Sequence, residues 1–133
     1  MKVAIVGSRE YADMGEVRAF VAGLPMRTVI VSGGCRGVDR AAEGMASSLG
    51  MECLIFPPDY AKHGKRAPLV RNEQIAEACD EMVAFWDGAS HGTMNAVNHA
   101  RRLGKPVQIH MGKRYEPQLT EEQAFEIALR NSR

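Results

Sequence analysis

Residues 28–49, TVIVSGGCRGVDRAAEGMASSL, restrict the fold more than any other stretch of the chain. Thr28-Val29-Ile30-Val31 is a β-branched run of the kind buried on both faces of a sheet. Gly33, Gly34 and Gly37 follow within five residues, a density that no regular element would choose. From Val38 the apolar positions Val38, Ala41, Ala42, Met45, Ala46 and Leu49 recur at helical spacing and predict one buried face. Strand, glycine loop and helix in that order place free N–H groups and a positive dipole end together, which favours a phosphate or carboxylate. The spacing is neither G-x-G-x-x-G nor a P-loop ending in Lys-Ser/Thr, and a ligand-free tight turn is the plain alternative.

The same alternation runs through the chain. Residues 2–6 (KVAIV) read as a first strand that leaves through Gly7-Ser8-Arg9. Residues 14–23 carry Val17, Phe20 and Val21 on one helical side, with Leu24 beyond and Pro25 as the stop. Gly50 closes the central helix, and residues 51–56 predict a third strand halted by Pro57-Pro58. Residues 57–67 read as the one long irregular segment, and such loops are often functional. A helix over 68–79 follows, then a fourth strand over Glu81–Trp86 and a second glycine-bearing turn from Asp87 to Gly92. A helix over 93–103 and a short strand over 106–110 come next. Thr120-Glu121-Glu122-Gln123 then opens a last helix with a capping box, with Ala124, Ile127 and Ala128 as its buried side. Five strands alternating with helices predict an α/β fold with a mainly parallel sheet in the order 3-2-1-4-5 and helices on both faces. Ligands of such sheets sit at the carboxyl ends of the strands, where the order reverses. The loops after strands one, two and four are therefore expected to meet on one rim.

A chain of 133 residues is one domain with room for a single core, and 45% apolar with 25% charged residues is ordinary for a globular protein. The net charge of +1 argues against binding to nucleic acid or membranes through overall charge, so nucleic acid is expected to be an unlikely partner, and no membrane is expected. The start MKVAIVGS shows no signal-peptide pattern, and three cysteines without C-x-x-C spacing fit a reducing compartment, so the expected setting is cytoplasmic. Cys53 and Cys79 lie in apolar runs and predict core packing. Cys35, beside Arg36 near a helix N-terminus, could have a lowered thiol pKa, but a small residue filling the loop is the simpler reading. His63, His91, His99 and His110 show no metal-ligand spacing; neither metal nor cofactor is expected.

Taken together, GSREY, VSGGCRGVDRAAE, the pair Arg71-Asn72, and AFWDGASHGT followed by GKPV resemble the SLOG superfamily over about residues 2 to 110. That group holds the Lonely Guy phosphoribohydrolases, the DprA-type DNA-processing proteins and the YspA-like branch, and the chain is most similar to the last. The resemblance implies a Rossmann-like three-layer sandwich, with residues 1–133 forming a single SLOG-type nucleotide-binding domain. It also implies homo-oligomers, for which the helices after strands three and four are the expected contact. A nucleotide or nucleotide-derived phosphorylated ligand is expected at the carboxyl edge of the sheet, for sensing or sequestration. The enzymatic relatives use an arginine before the fourth strand and a glutamate on the helix after a P-G-G-x-G-T turn. Arg71 stands where that arginine would be, as a tentative catalytic residue. Gly92-Thr93 match the G-T, but the glutamate position is Ala96. Hydrolysis of the N-glycosidic bond of nucleoside 5′-monophosphates is thus the alternative function. Single-stranded DNA binding is a weaker one, resting on the basic run Lys62, His63, Lys65 and Arg66.

The binding residues follow from chemistry at those loops. Amides of Gly7, Gly33, Gly34, Gly37, Gly88, Gly92 and Thr93 suit phosphate oxygens, and Ser8, Ser90 and Thr93 add hydroxyls. Arg9, Arg36 and Arg71 offer bidentate contacts, with Asn72 beside Arg71. Asp39 or Asp87 could accept from ribose hydroxyls, although Asp39 equally suits its own helix dipole and Asp87 a turn or cap. His91 is the histidine placed to contact a ligand or act as an acid. Trp86 and Tyr60 are candidate stacking platforms, with core packing the stronger reading for Trp86.

Overall fold

The computed structural model describes residues 1–114 and 120–131. In chain order the elements are β1 (Lys2–Gly7), α1 (Met14–Ala22), β2 (Val29–Ser32), α2 (Val38–Ser48), β3 (Cys53–Ile55), α3 (Tyr60–His63), α4 (Ala67–Ala78), β4 (Glu81–Trp86), α5 (His91–Arg102), β5 (Val107–Met111) and α6 (Glu121–Asn131). The sheet order is β3-β2-β1-β4-β5 with every pair parallel, so the α/β, Rossmann-like topology stands as expected.

Alternation along the strands builds the two cores. Val3, Ile5, Ile30, Val83 and Phe85 face one side and pack with α1 and α2 through Val17, Val21, Val38, Ala42 and Ala46. Ala4, Val6, Val31, Met82 and Ala84 face the other and pack with α4 and α5 through Ile75, Ala76, Ala96, Val97 and Ala100. Small residues dominate the second layer, which lets α4 and α5 lie close to the sheet. Their N-terminal turns are thereby held over its carboxyl edge.

Two expectations need correction. Residues 57–67 are not one irregular loop: Asp59 caps α3 by accepting from the Lys62 amide, and a 3₁₀ turn at Gly64–Arg66 leads directly into α4. The short-range Asx cap suffices to start a turn soon after the Pro57-Pro58 stop, in a segment without helical periodicity. The last helix does form behind its capping box, with reciprocal bonds between Thr120 and Gln123. It buries neither Ala124, Ile127 nor Ala128, however, and Phe125 is 64% exposed. Both sheet faces are already covered by α1, α2, α4 and α5, which leaves α6 no open core surface on the sheet.

One glycine fixes how closely the rim loops approach. Gly37 has φ +85°, and a Cβ there would lie 2.6 Å from the Arg9 carbonyl oxygen. The β2–α2 turn therefore touches the backbone of the β1–α1 loop, an approach only a residue without a side chain permits. Gly37→Ala should lower unfolding stability by about 3 kcal/mol, combining left-handed strain with overpacking against a backbone that cannot yield. Urea denaturation would read this as a reduced midpoint at unchanged slope.

Candidate functional site

At the carboxyl edge, the loops after β1 and β4, the β2–α2 turn and the start of α4 enclose a crevice of about 510 Å³. Its floor is organised by Arg71, on the first turns of α4 and only 8% exposed. Arg71 Nη1 donates to the Gly33 carbonyl at 2.8 Å and to Cys35 Sγ at 3.3 Å, and Nε donates to Asn72 Oδ1 at 3.0 Å. A side chain at Gly33 would collide with the guanidinium, so the first glycine of the loop makes room for an internal cation.

Asp39, in the first turn of α2, closes this loop from inside. Its Oδ2 accepts from the Cys35 amide at 3.2 Å, and the Gly33 amide also acts on the carboxylate. Burial pushes its pKa up to about 6, opposed by the Cys35 amide and the Arg71 charge. Part of the amide set expected to hold a phosphate is thus already occupied by the chain's own carboxylate.

The second turn is built the same way. Asp87 Oδ1 accepts from the amides of Ala89 and Ser90, both at 2.9 Å, and its own amide donates to Ser8 Oγ. Burial alone would raise the Asp87 pKa, but those two amides, Ser8 and the Arg114 charge hold it below the usual carboxylate value. Ser90 caps α5, accepting from the Thr93 amide and hydroxyl. Asn72 donates to the Gly92 carbonyl and to Asn95 Oδ1, which ties α4 to α5 across the crevice. No described residue accepts from the amides of His91 and Gly92.

Among the residues expected at the site, Gly7, Ser8, Arg9, Asp39, Arg71, Asn72, Asp87, Ser90, His91, Gly92 and Thr93 line this crevice. Gly33, Gly34, Arg36, Gly37 and Gly88 do not. Gly33 underlies Arg71, Gly37 abuts Arg9, and Arg36 turns outward to pair with Glu10 at 2.7 Å. Trp86 is half-buried and donates from Nε1 to the Ser90 carbonyl, so it braces the turn. Ala96 lines the crevice and is buried, so the position at which the family resemblance would put a glutamate holds a methyl group. Glu10, Pro68, Leu69 and Arg114 also line the crevice without having been anticipated. The carboxyl-edge rule, applied to β5 as well, would have found Arg114. Among the described residues no acidic, histidine or cysteine cluster could hold a metal, and no helix is long and apolar enough to cross a membrane.

Residues 1–63 match the family described as YAcAr, the YspA, cpYpsA-related SLOG family. That match covers just under half of the chain, and over those residues the chain is similar to that family. A search of curated proteins gives no match. Among solved structures, DNA processing protein A from Streptococcus pneumoniae is similar at 21% identity and a TM-score of 0.69 over 98% of this chain. DNA processing protein A from Helicobacter pylori, described for its single-stranded DNA binding mode, is similar at 22% identity and a TM-score of 0.59, again over 98% of this chain. The chain spans 56% of the length of the first and 73% of the second. These likenesses carry the fold. They also overturn the expectation that nucleic acid is an unlikely partner, because the same fold occurs in a protein noted for binding single-stranded DNA. A net charge averaged over a whole chain could not exclude a locally cationic rim such as the one bearing Arg9 and Arg114.

The buried acid gives a pH signature. Asp39 binds its proton more tightly when folded (about 6) than an ordinary aspartate does (3.8), so stability should fall as pH rises from about 4 to about 6. That effect amounts to about 3 kcal/mol across the window. Asp39→Asn should flatten this part of the profile, read as a difference between the wild-type and variant Tm that grows from pH 4 to pH 6. Parallel profiles would refute the assignment.

Proposed function

We propose that the crevice binds a nucleotide or nucleotide-derived phosphorylated ligand, for sensing or sequestration. The observation that carries this reading is the imbalance of uncommitted groups. Every lining carboxylate has partners: Asp39 and Asp87 hold loop amides, and Glu10 holds Arg36. The lining donors do not. Arg71 Nη2 bonds to no described residue, Arg9 is in no ion pair among the described residues, and the His91 and Gly92 amides are open. Donors without acceptors at a helix N-terminus suit phosphate oxygens. Pro68, Leu69, Ile75 and Ala89 supply an apolar wall for a base or sugar.

Single-stranded DNA binding is a second reading, favoured by the DNA processing protein A neighbours and by one surface feature. Tyr60, 58% exposed, stands with exposed Lys62, Lys65 and Arg66 on the hump that ends at the crevice-lining Leu69. An aromatic among cations is the combination that tracks a single strand.

Calorimetric titration with the nucleoside mono- and diphosphates tests the first reading. At least one should bind, and Arg71→Ala should weaken it by about 10- to 100-fold, the worth of a charge-assisted hydrogen bond. Absence of binding by the whole set at millimolar concentration would remove it. For the second reading, affinity for oligo-dT should fall steeply as salt rises, with a shallower slope in Lys62→Ala/Lys65→Ala.

A further inference from the structure

The chain beyond β5 returns to the crevice. The Gly112 amide donates to the Trp86 carbonyl at 3.0 Å, the Ala12 amide donates to the Lys113 carbonyl at 2.9 Å, and Tyr11 and Arg114 form an antiparallel bridge. Tyr11 is the clasp. It is 1% exposed, its ring meets Phe85 edge-on at 5.7 Å, and its hydroxyl donates to Glu16 Oε2 at 2.8 Å. Gly112 lies directly against the Tyr11 ring, where any side chain would collide. Residues 111–114 are thus a strap fastened across the top of β4 to the loop that carries Ser8, Arg9 and Glu10.

The strap delivers Arg114 to the crevice lining, on the same rim as Arg9. Both arginines are exposed, and neither is in an ion pair among the described residues. Of the neighbouring acids, Asp87 is fixed by two amides and feels the Arg114 charge without forming an ion pair with it, and Glu10 is paired with Arg36. The crevice therefore has two cationic stations, Arg71 buried on its floor and Arg9 with Arg114 at its mouth. A single phosphate satisfies one station; two linked phosphates can answer both.

We infer that Arg114 is a ligand-binding residue, and that with Arg9 it makes the crevice select a nucleoside diphosphate over the matching monophosphate. This rests on the nucleotide reading above. The test is calorimetric titration of the full chain and of Arg114→Ala with the mono- and diphosphates of adenosine, guanosine, cytidine and uridine. For the preferred base, the wild type should bind the diphosphate about 10-fold more tightly than the monophosphate, and Arg114→Ala should erase that preference while leaving monophosphate affinity within about twofold. The ligand-free Tm should not change, because the substituted side chain is exposed. Gly112→Ala, which forces the strap off Tyr11, should also erase the preference. Equal weakening of both ligands by Arg114→Ala, or no weakening of either, overturns the role of Arg114. A wild type that binds monophosphates but shows no diphosphate preference overturns this inference and leaves the nucleotide reading intact. A wild type that binds none of the eight overturns both.

Discussion

A buried guanidinium has to be met by acceptors, and the carboxyl edge of this sheet is arranged to do that for Arg71. An unmatched buried cation costs several kcal/mol, enough to threaten a domain of ordinary stability. Here the Gly33 carbonyl, the Cys35 sulfur and the Asn72 side chain accept from it, and the Asp39 carboxylate balances its charge through the same loop. The β2–α2 turn cannot move without stranding that charge. The start of α4 is held through Arg71, and α5 through Asn72 and its bonds to Gly92 and Asn95. Three elements far apart in the chain thus share one electrostatic knot, and the crevice is the space left above it.

Much of the fold could be read from residue order alone, because the information is local and periodic. The β-branched run at residues 28–31 and the apolar run within residues 81–86 read as interior parallel strands. The crossover rules then leave the order 3-2-1-4-5, which is what the sheet adopts. The short helix Tyr60–His63 leaves little trace in the sequence, because its signal is one Asx cap, at Asp59, in a charged segment that opens on a proline pair. The exposure of α6 was missed for the opposite reason. Its pattern is locally sound, but whether a face is buried depends on whether a surface is free to receive it.

The site was legible as a place more than as a set of contacts. Convergence of loops at the carboxyl edge follows from topology, and most expected residues line the crevice. What sequence could not convey was which groups are already engaged. Glycines expected to admit a ligand instead admit other parts of the chain: Arg71 over Gly33, and the Arg9 backbone against Gly37. Arg36 looked like Arg9 in sequence, yet pairs outward with Glu10. Arg114 arrives through a bridge to Tyr11, a contact spanning most of the chain with no local signature.

Trp86 is the protein's single tryptophan, and its indole N–H is bonded to the carbonyl of Ser90, the residue that caps α5. The fluorophore is therefore wired to the turn whose amides face the crevice. A shift of that turn alters the polarity around the indole, so the emission colour of the unlabelled protein is a built-in gauge of the cap's geometry. No dye or tag is needed to watch that edge of the molecule respond.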